Sequence, residues 1–231
     1  MDNLKKNFFL VIRPKYYELN VINEKYKTLF KEEFFINDKI SENNLDELKN
    51  FLNENIFNLE KKFNLYIKDI YLIIDHYDFI NIDVSLINEF RNLPTHFNSS
   101  HDISNIKKDV LLSNNTYQLT HMTINKFIVD KKNYHTQPKN DIFKNVFLEF
   151  KFICLKKYIL NSYQDILTNY QISIKNIFNY DYVNSFRTGE NDSISILAYK
   201  LNNGLNPNEI SFSKKYAKKL GFFEKFFKFF G

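Results

Sequence analysis

No glycine occurs in residues 1–188; the first is Gly189, and the chain of 231 residues holds only four. Glycine lets a backbone approach a phosphate closely and take φ > 0 without steric cost. A glycine-rich phosphate loop is thereby excluded over most of the sequence. No Walker loop, G-x-S-x-G elbow or zincin motif is present either. The composition is still that of a globular protein, 44% hydrophobic and 26% charged, with length enough for one large domain or two small ones. Asn, Lys, Ile and Phe are over-used in the manner of an AT-rich genome, so single residues of these types carry little information.

Hydropathy patterning predicts an α+β chain. Residues 7–36 are rich in aromatic and β-branched residues broken at Pro14 and around 20–24, which reads as two or three antiparallel strands. Leu45, Leu48, Leu52, Ile56, Leu59 and Phe63 recur at spacings of three and four, an amphipathic helix over 43–64. "DIYLIIDH" (69–76) reads as a central strand, 78–86 as another, 87–101 as an exposed loop and 102–118 as a weaker helix. Strands follow at 119–130 and 144–155, the latter with Val146, Leu148, Phe150, Phe152 and Cys154 on one face, separated by a turn region at 131–140. A helix at 156–170, a strand at 172–183 and a helix near 191–203 stopped by Gly204 complete the body. In "NPNE" (206–209), Asn206 as N-cap, Pro207 at the first helical position and Glu209 at the third predict another helix start.

Candidate chemistry is sparse. The single Cys154 lies in an apolar run and reads as a buried, inert thiol. His96 and His101 lack the spacing of a metal site. "DHYD" (75–78) sets two carboxylates around a histidine, but a strand-end turn satisfied by aspartate accounts for it. The sequence thus predicts no catalytic residue, no metal site and no cofactor. No signal peptide and no run near the ~20 apolar residues of a membrane span is seen, so the expected location is cytoplasmic.

The order of elements around "LTHMTINKFIVD", "NVFLEFKFICL" and "YQISIKNIFNYDYVNSF", preceded by "LDELKNFLNENIFNLEKKFNLYIKDIYLIIDH", resembles the bacterial cell-division actin-like family FtsA. The resemblance covers roughly 7–187. It implies an actin-like 1A fragment over 1–77, an SHS2-type 1C subdomain over 78–187 and a helical tail over 188–231 ending in an amphipathic helix, the whole a set of mixed sheets with packed helices. Where the family carries its first Asp-x-Gly-Ser/Thr phosphate motif, this chain has Arg13 and Pro14. The second phosphate loop, the adenosine site and subdomains 2A and 2B have no counterpart, so ATPase activity is not expected. The resemblance implies a divisome adaptor with divisome proteins as partners. A PilM-like pilus or secretion adaptor shares the same plan and is the alternative.

The tail is the strongest binding signal. Six Phe fall within 222–230, where average usage would place about one, since 25 of 231 residues are Phe. On a helix at ~100° per residue, Phe222, Phe223, Phe226, Phe227, Phe229 and Phe230 cover an arc of roughly 160°, with Lys225 and Lys228 opposite. Lys214, Lys215, Lys218 and Lys219 form a basic collar upstream. Residues 213–231 carry the chain's entire net charge of +5, which leaves 1–212 balanced. Such a helix predicts reversible attachment to anionic inner-membrane lipids, on the cytoplasmic face. Packing of the stripe on the body, or on a second copy through self-association, is the competing reading. A basic-aromatic nucleic-acid binder is the other alternative, disfavoured by the neutral body, so nucleic acid is not an expected partner.

Overall fold

The computed structural model describes residues 5–36, 45–89, 99–136, 145–189 and 192–210. The fold is α+β and is built on two sheets. β1 (Lys6–Arg13), β2 (Tyr16–Asn23) and β3 (Thr28–Phe35) form an antiparallel meander, and α1 (Leu45–Phe63) carries the chain to β4 (Asp69–Ile74). β4 pairs parallel with β1, and β9 (Ser173–Asn179) pairs parallel with β4, giving the order β3-β2-β1-β4-β9. Between β4 and α3 (Lys157–Thr168) the chain builds the second sheet from β5 (Phe79–Glu89), β6 (Tyr117–Val129), β7 (Lys132–Tyr134) and β8 (Asn145–Lys156), in the order β5-β8-β6-β7, with α2 (Ser99–Ser113) after β5. Two short helices, α4 (Tyr180–Asn184) and α5 (Ile194–Asn202), follow β9.

Both faces of the first sheet are covered around β1 and β4, which is why these strands are apolar without alternation. Phe8, Leu10, Leu19, Leu72 and Ile74 pack under α1 and α3, while Phe9, Val11, Ile22, Tyr71 and Phe178 pack under α4 and α5. The second sheet has one such face. Val146, Leu148, Phe150, Phe152 and Cys154 lie on it as the alternation in β8 predicts, against Ile103, Ile106 and Val110 of α2.

Three expectations need correction. The predicted boundary at 187 falls after β9, and β9 belongs to the first sheet, so the second sheet is an insertion of residues 79–156 within the first unit. The predicted strand over 172–183 stops at Asn179, whose side chain accepts from the Tyr182 N–H and caps α4. "NPNE" starts no helix through 210. The Asn206 side chain accepts from the Asn208 N–H in a turn, and Glu209 pairs with Thr123 of β6 in an antiparallel bridge. Residues 211–231, with the whole predicted anchor, lie outside the described residues.

Scarcity of glycine has a visible local consequence. Helices α1, α3 and α5 all end in the same way: Leu65 N–H to the Glu60 carbonyl, Ile172 N–H to Leu167, Leu205 N–H to Lys200, each with a companion bond nested one residue inside it. This closure needs a left-handed residue. Gly204 supplies it for α5 at φ 91°, but Asn64 (49°) and Gln171 (59°) supply it for the others. The β6–β7 turn puts Asp130 and Lys131 at φ 47° and 69°, as a primed two-residue hairpin requires. Asn and Asp tolerate this region; Gln and Lys carry a cost of about 1 kcal/mol.

The chain crosses between the sheets at 75–78 and 156–157, and one carboxylate ties both crossings. Asp78 is buried, pairs with Lys156 and accepts a 2.8 Å hydrogen bond from the Tyr158 hydroxyl. Lys156, then Tyr158, hold its carboxyl below the ordinary aspartate value of 3.8.

Gln171→Gly and Lys131→Gly are each expected to raise the unfolding free energy by about 0.5–1 kcal/mol, and Gly204→Ala to lower it by about 1 kcal/mol, measured by urea titration. Asp78→Asn is expected to cost about 1–3 kcal/mol at neutral pH. Because the folded-state pKa of Asp78 is depressed, its stabilisation is present above the unfolded value and lost as pH falls through the folded one. The stability gap between wild type and Asp78→Asn therefore closes progressively below about pH 4.

Candidate functional site

A cleft of about 820 Å³ opens on the first sheet where α4 and α5 leave its face uncovered. Its position follows from topology. β1 and β4 are parallel neighbours, so their C-terminal ends, Arg13 and Asp75, meet at one edge of the cleft together with the β1–β2 turn. Open α/β sheets place ligands outside such strand ends. Here the two strand ends are paired with each other. Arg13 Nε donates to Asp75 Oδ2 at 3.1 Å, and its guanidinium sits 4.3 Å from the centre of the Tyr180 ring. Pro14 and Lys15 form the adjoining turn. The acid at the end of β4 is therefore already paired.

The floor is polar, which is unusual for a strand with buried neighbours on both sides. On β2, Tyr16, Glu18 and Asn20 face the cleft, opposite Phe35, Glu33 and Lys31 of β3. Tyr16 O–H contacts both Glu18 and Glu33, and Lys31 pairs with Glu33 and lies 3.7 Å from Glu18. Burial, then the two carboxylates, push the Tyr16 phenol far above its usual range, so it remains a neutral donor. Lys31, then Tyr16, hold Glu33 below the usual carboxylate range.

A second cluster locks the two sheets together. His121 of β6 is 2% exposed. Its Nδ1 lies 2.8 Å from Glu209 Oε1, and its Nε2 accepts the Asn179 backbone N–H at 3.0 Å. The second bond requires a lone pair on Nε2, so the ring is neutral with its proton on Nδ1, donated to Glu209. Tyr182 O–H donates to Glu209 Oε2 at 2.9 Å and receives Asn206 Nδ2 at 2.9 Å. Burial first, then Glu209, raises the Tyr182 pKa far above the usual phenol range. Beside this network, Ile124 N–H reaches the Asn208 carbonyl and Ile210 N–H the Met122 carbonyl. Residues 208–210 thus extend the second sheet along β6.

The structure sorts the residues singled out from sequence. Cys154 is buried, and burial pushes its thiol up to about 11, away from thiolate chemistry. Asp75 and Asp78 of "DHYD" serve different partners, Arg13 and Lys156, and form no joint acid–base site. His96 lies outside the described residues. So do all twelve predicted membrane-contact residues: Lys214, Lys215, Lys218, Lys219, Phe222, Phe223, Lys225, Phe226, Phe227, Lys228, Phe229 and Phe230. Among the described residues no group of three His, Cys, Asp or Glu side chains is placed to hold a metal ion, and no helix is long and apolar enough to cross a membrane. The polar floor escapes the sequence reading. Its one signal is the Tyr-x-Glu-x-Asn alternation in "YYELN", polar groups on one side of a strand whose other side is Tyr17 and Leu19. The His121–Glu209 pair, 88 residues apart, has no local signal.

No family model matches the sequence, and neither does any curated protein. Several solved structures resemble the backbone, these three among them. One is the cytoplasmic domain of EpsL, an inner membrane component of the type II secretion system of Vibrio cholerae (9% identity, 80% of this chain and 61% of that one, TM-score 0.39). Another is a PilM–PilN type IV pilus biogenesis complex (8%, 77% and 48%, 0.48). The third is a Bacteroides thetaiotaomicron protein described as having an actin-like ATPase fold and unknown function (11%, 80% and 58%, 0.36). The chain spans 48–61% of the length of these structures.

Glu209→Ala is expected to leave the His121 Nδ1–H and the Tyr182 O–H without their acceptor. It should cost about 1–3 kcal/mol in urea unfolding and shift the His121 ring resonances in NMR spectra, while His135, exposed in its loop, stays unchanged.

Proposed function

We propose that this chain is a non-enzymatic assembly adaptor, held at the cytoplasmic face of the inner membrane by its Phe/Lys tail and acting in bacterial cell division in the manner of FtsA. The observation that supports the non-enzymatic part is the pairing of Asp75 with Arg13 at the cleft mouth. A triphosphate with Mg²⁺ needs an acid free to organise the cation and a backbone able to come close. Asp75 is engaged by Arg13, and the adjoining turn is Arg13-Pro14-Lys15-Tyr16. The inserted second sheet, tied to the first at Asp78 and again at Glu209, fits a rigid display surface for protein partners. The tail supplies the membrane term: each Lys near an anionic leaflet contributes ~1 kcal/mol and each inserted Phe ~1.5–3 kcal/mol, enough after ordering costs for reversible binding.

Co-sedimentation with phosphatidylglycerol-containing vesicles should pellet the full chain and leave a variant ending at Leu220 in the supernatant; equal pelleting refutes the anchor. Mg·ATP should neither bind in calorimetry nor be hydrolysed. A fluorescently tagged copy should collect at the septum. A polar focus instead would overturn the division role and support a pilus or secretion adaptor.

A further inference from the structure

The cleft floor is short of positive charge and of hydrogen-bond donors. Glu18 and Glu33 stand opposite each other in register across β2 and β3, and Glu18 is only 4% exposed. Tyr16 offers one hydroxyl hydrogen to both carboxylates. Lys31 serves Glu33 closely and Glu18 only at 3.7 Å. Two carboxylates and one ammonium leave the floor at a net charge of −1. Asn20 adds an independent observation. It is 1% exposed and lines the cleft. Its Nδ2 donates to Glu18 Oε1 at 2.9 Å, which fixes the amide orientation, and its Oδ1 has no hydrogen-bond partner. A buried acceptor in that state demands a donor.

We propose that this floor is a receptor for a guanidinium group. One planar fork can donate to Glu18 and to Asn20 Oδ1 together, which a single ammonium does with poorer geometry. Tyr16 and Phe35, with ring centres 5.0 Å apart, supply aromatic surface beside it. The missing unit of charge is supplied at the same time. At the rim, Asp75 is matched by Arg13, while Lys15, Arg187 and Asp192 also line the opening. A scaffold that carries a carboxylate near its guanidinium therefore suits the opening better than a polycation. Arginine itself and an arginine within an acidic peptide both have this chemistry. The inference goes beyond the adaptor reading and stands independently of it.

The test uses the full chain, isotope-labelled, titrated with N-acetyl-arginine amide, its neutral isostere N-acetyl-citrulline amide, free L-arginine, and a short peptide with one arginine flanked by aspartates. The arginine compounds should shift the amides of residues 16–20 and 31–33, and citrulline should not. Glu18→Gln and Asn20→Ala should each weaken binding by about tenfold or more, with thermal unfolding confirming that each variant folds. Should Glu18→Gln fail to fold, Asn20→Ala and the citrulline comparison decide. Tighter binding of the peptide identifies a partner's side chain as the natural ligand, and tighter binding of free arginine identifies a metabolite. The proposal is overturned if arginine and citrulline behave alike, if Asn20→Ala retains full affinity, or if Mg·ATP displaces arginine from these residues.

Discussion

The architecture depends on a single carboxylate at the place where the chain changes sheets. The insertion leaves the first sheet after β4 and returns before α3, so its position is set by two short crossings, and Asp78 touches both. A buried carboxylate is tolerated only when its charge is matched and its lone pairs are used. Lys156 and Tyr158 do this from the returning crossing, and the depressed acidity of Asp78 records how far its ionised form is favoured. Without that tie, the 79–156 insertion would be held to the first sheet by its two covalent links and by the bonds that His121 makes to Asn179 and Glu209.

A second attachment of the insertion uses different chemistry. His121, Asn179, Tyr182 and Glu209 come from β6, the end of β9, α4 and the stretch after α5, and each group in the network satisfies another. Ring contacts add to this: His121 lies 4.2 Å from Tyr182 and 5.7 Å from Phe178 between ring centres. The two attachments use different parts of the insertion, the entry to β5 and the end of β8 at Asp78 and the middle of β6 at His121.

Range along the chain decided how much could be read from the sequence. α1, the β8 face and the buried β1 and β4 were readable because burial patterns repeat within a few residues. Sheet membership was harder. β9 reads as a strand from "ISIKNIFN", but only its parallel pairing with β4, about a hundred residues earlier, assigns it to the first sheet. "NPNE" misled because its helix-start signals are local, and Glu209 found a stronger partner in His121, a tertiary contact overriding a capping preference. The cleft mouth was half legible: Arg13 and Pro14, with no glycine in the β1–β2 turn, were plain in the sequence, whereas the pairing of Arg13 with Asp75 needed the parallel register of β1 and β4. The acceptor-rich floor stayed hidden because Glu and Lys on an edge hairpin ordinarily read as solvent-facing charge.

The three residues that pair alongside β6 have a mechanical meaning. Asn208 and Ile210 bond to Ile124 and Met122 side by side along the strand, so tension arriving from downstream would load those bonds in shear, sharing the force before it reaches α5. Glu209, between them, anchors the same point to His121. A protein tethered by the segment beyond Ile210 would thus take strain on the inserted sheet and spare the packing of α4 and α5 over the first, as a cleat takes the pull of a rope.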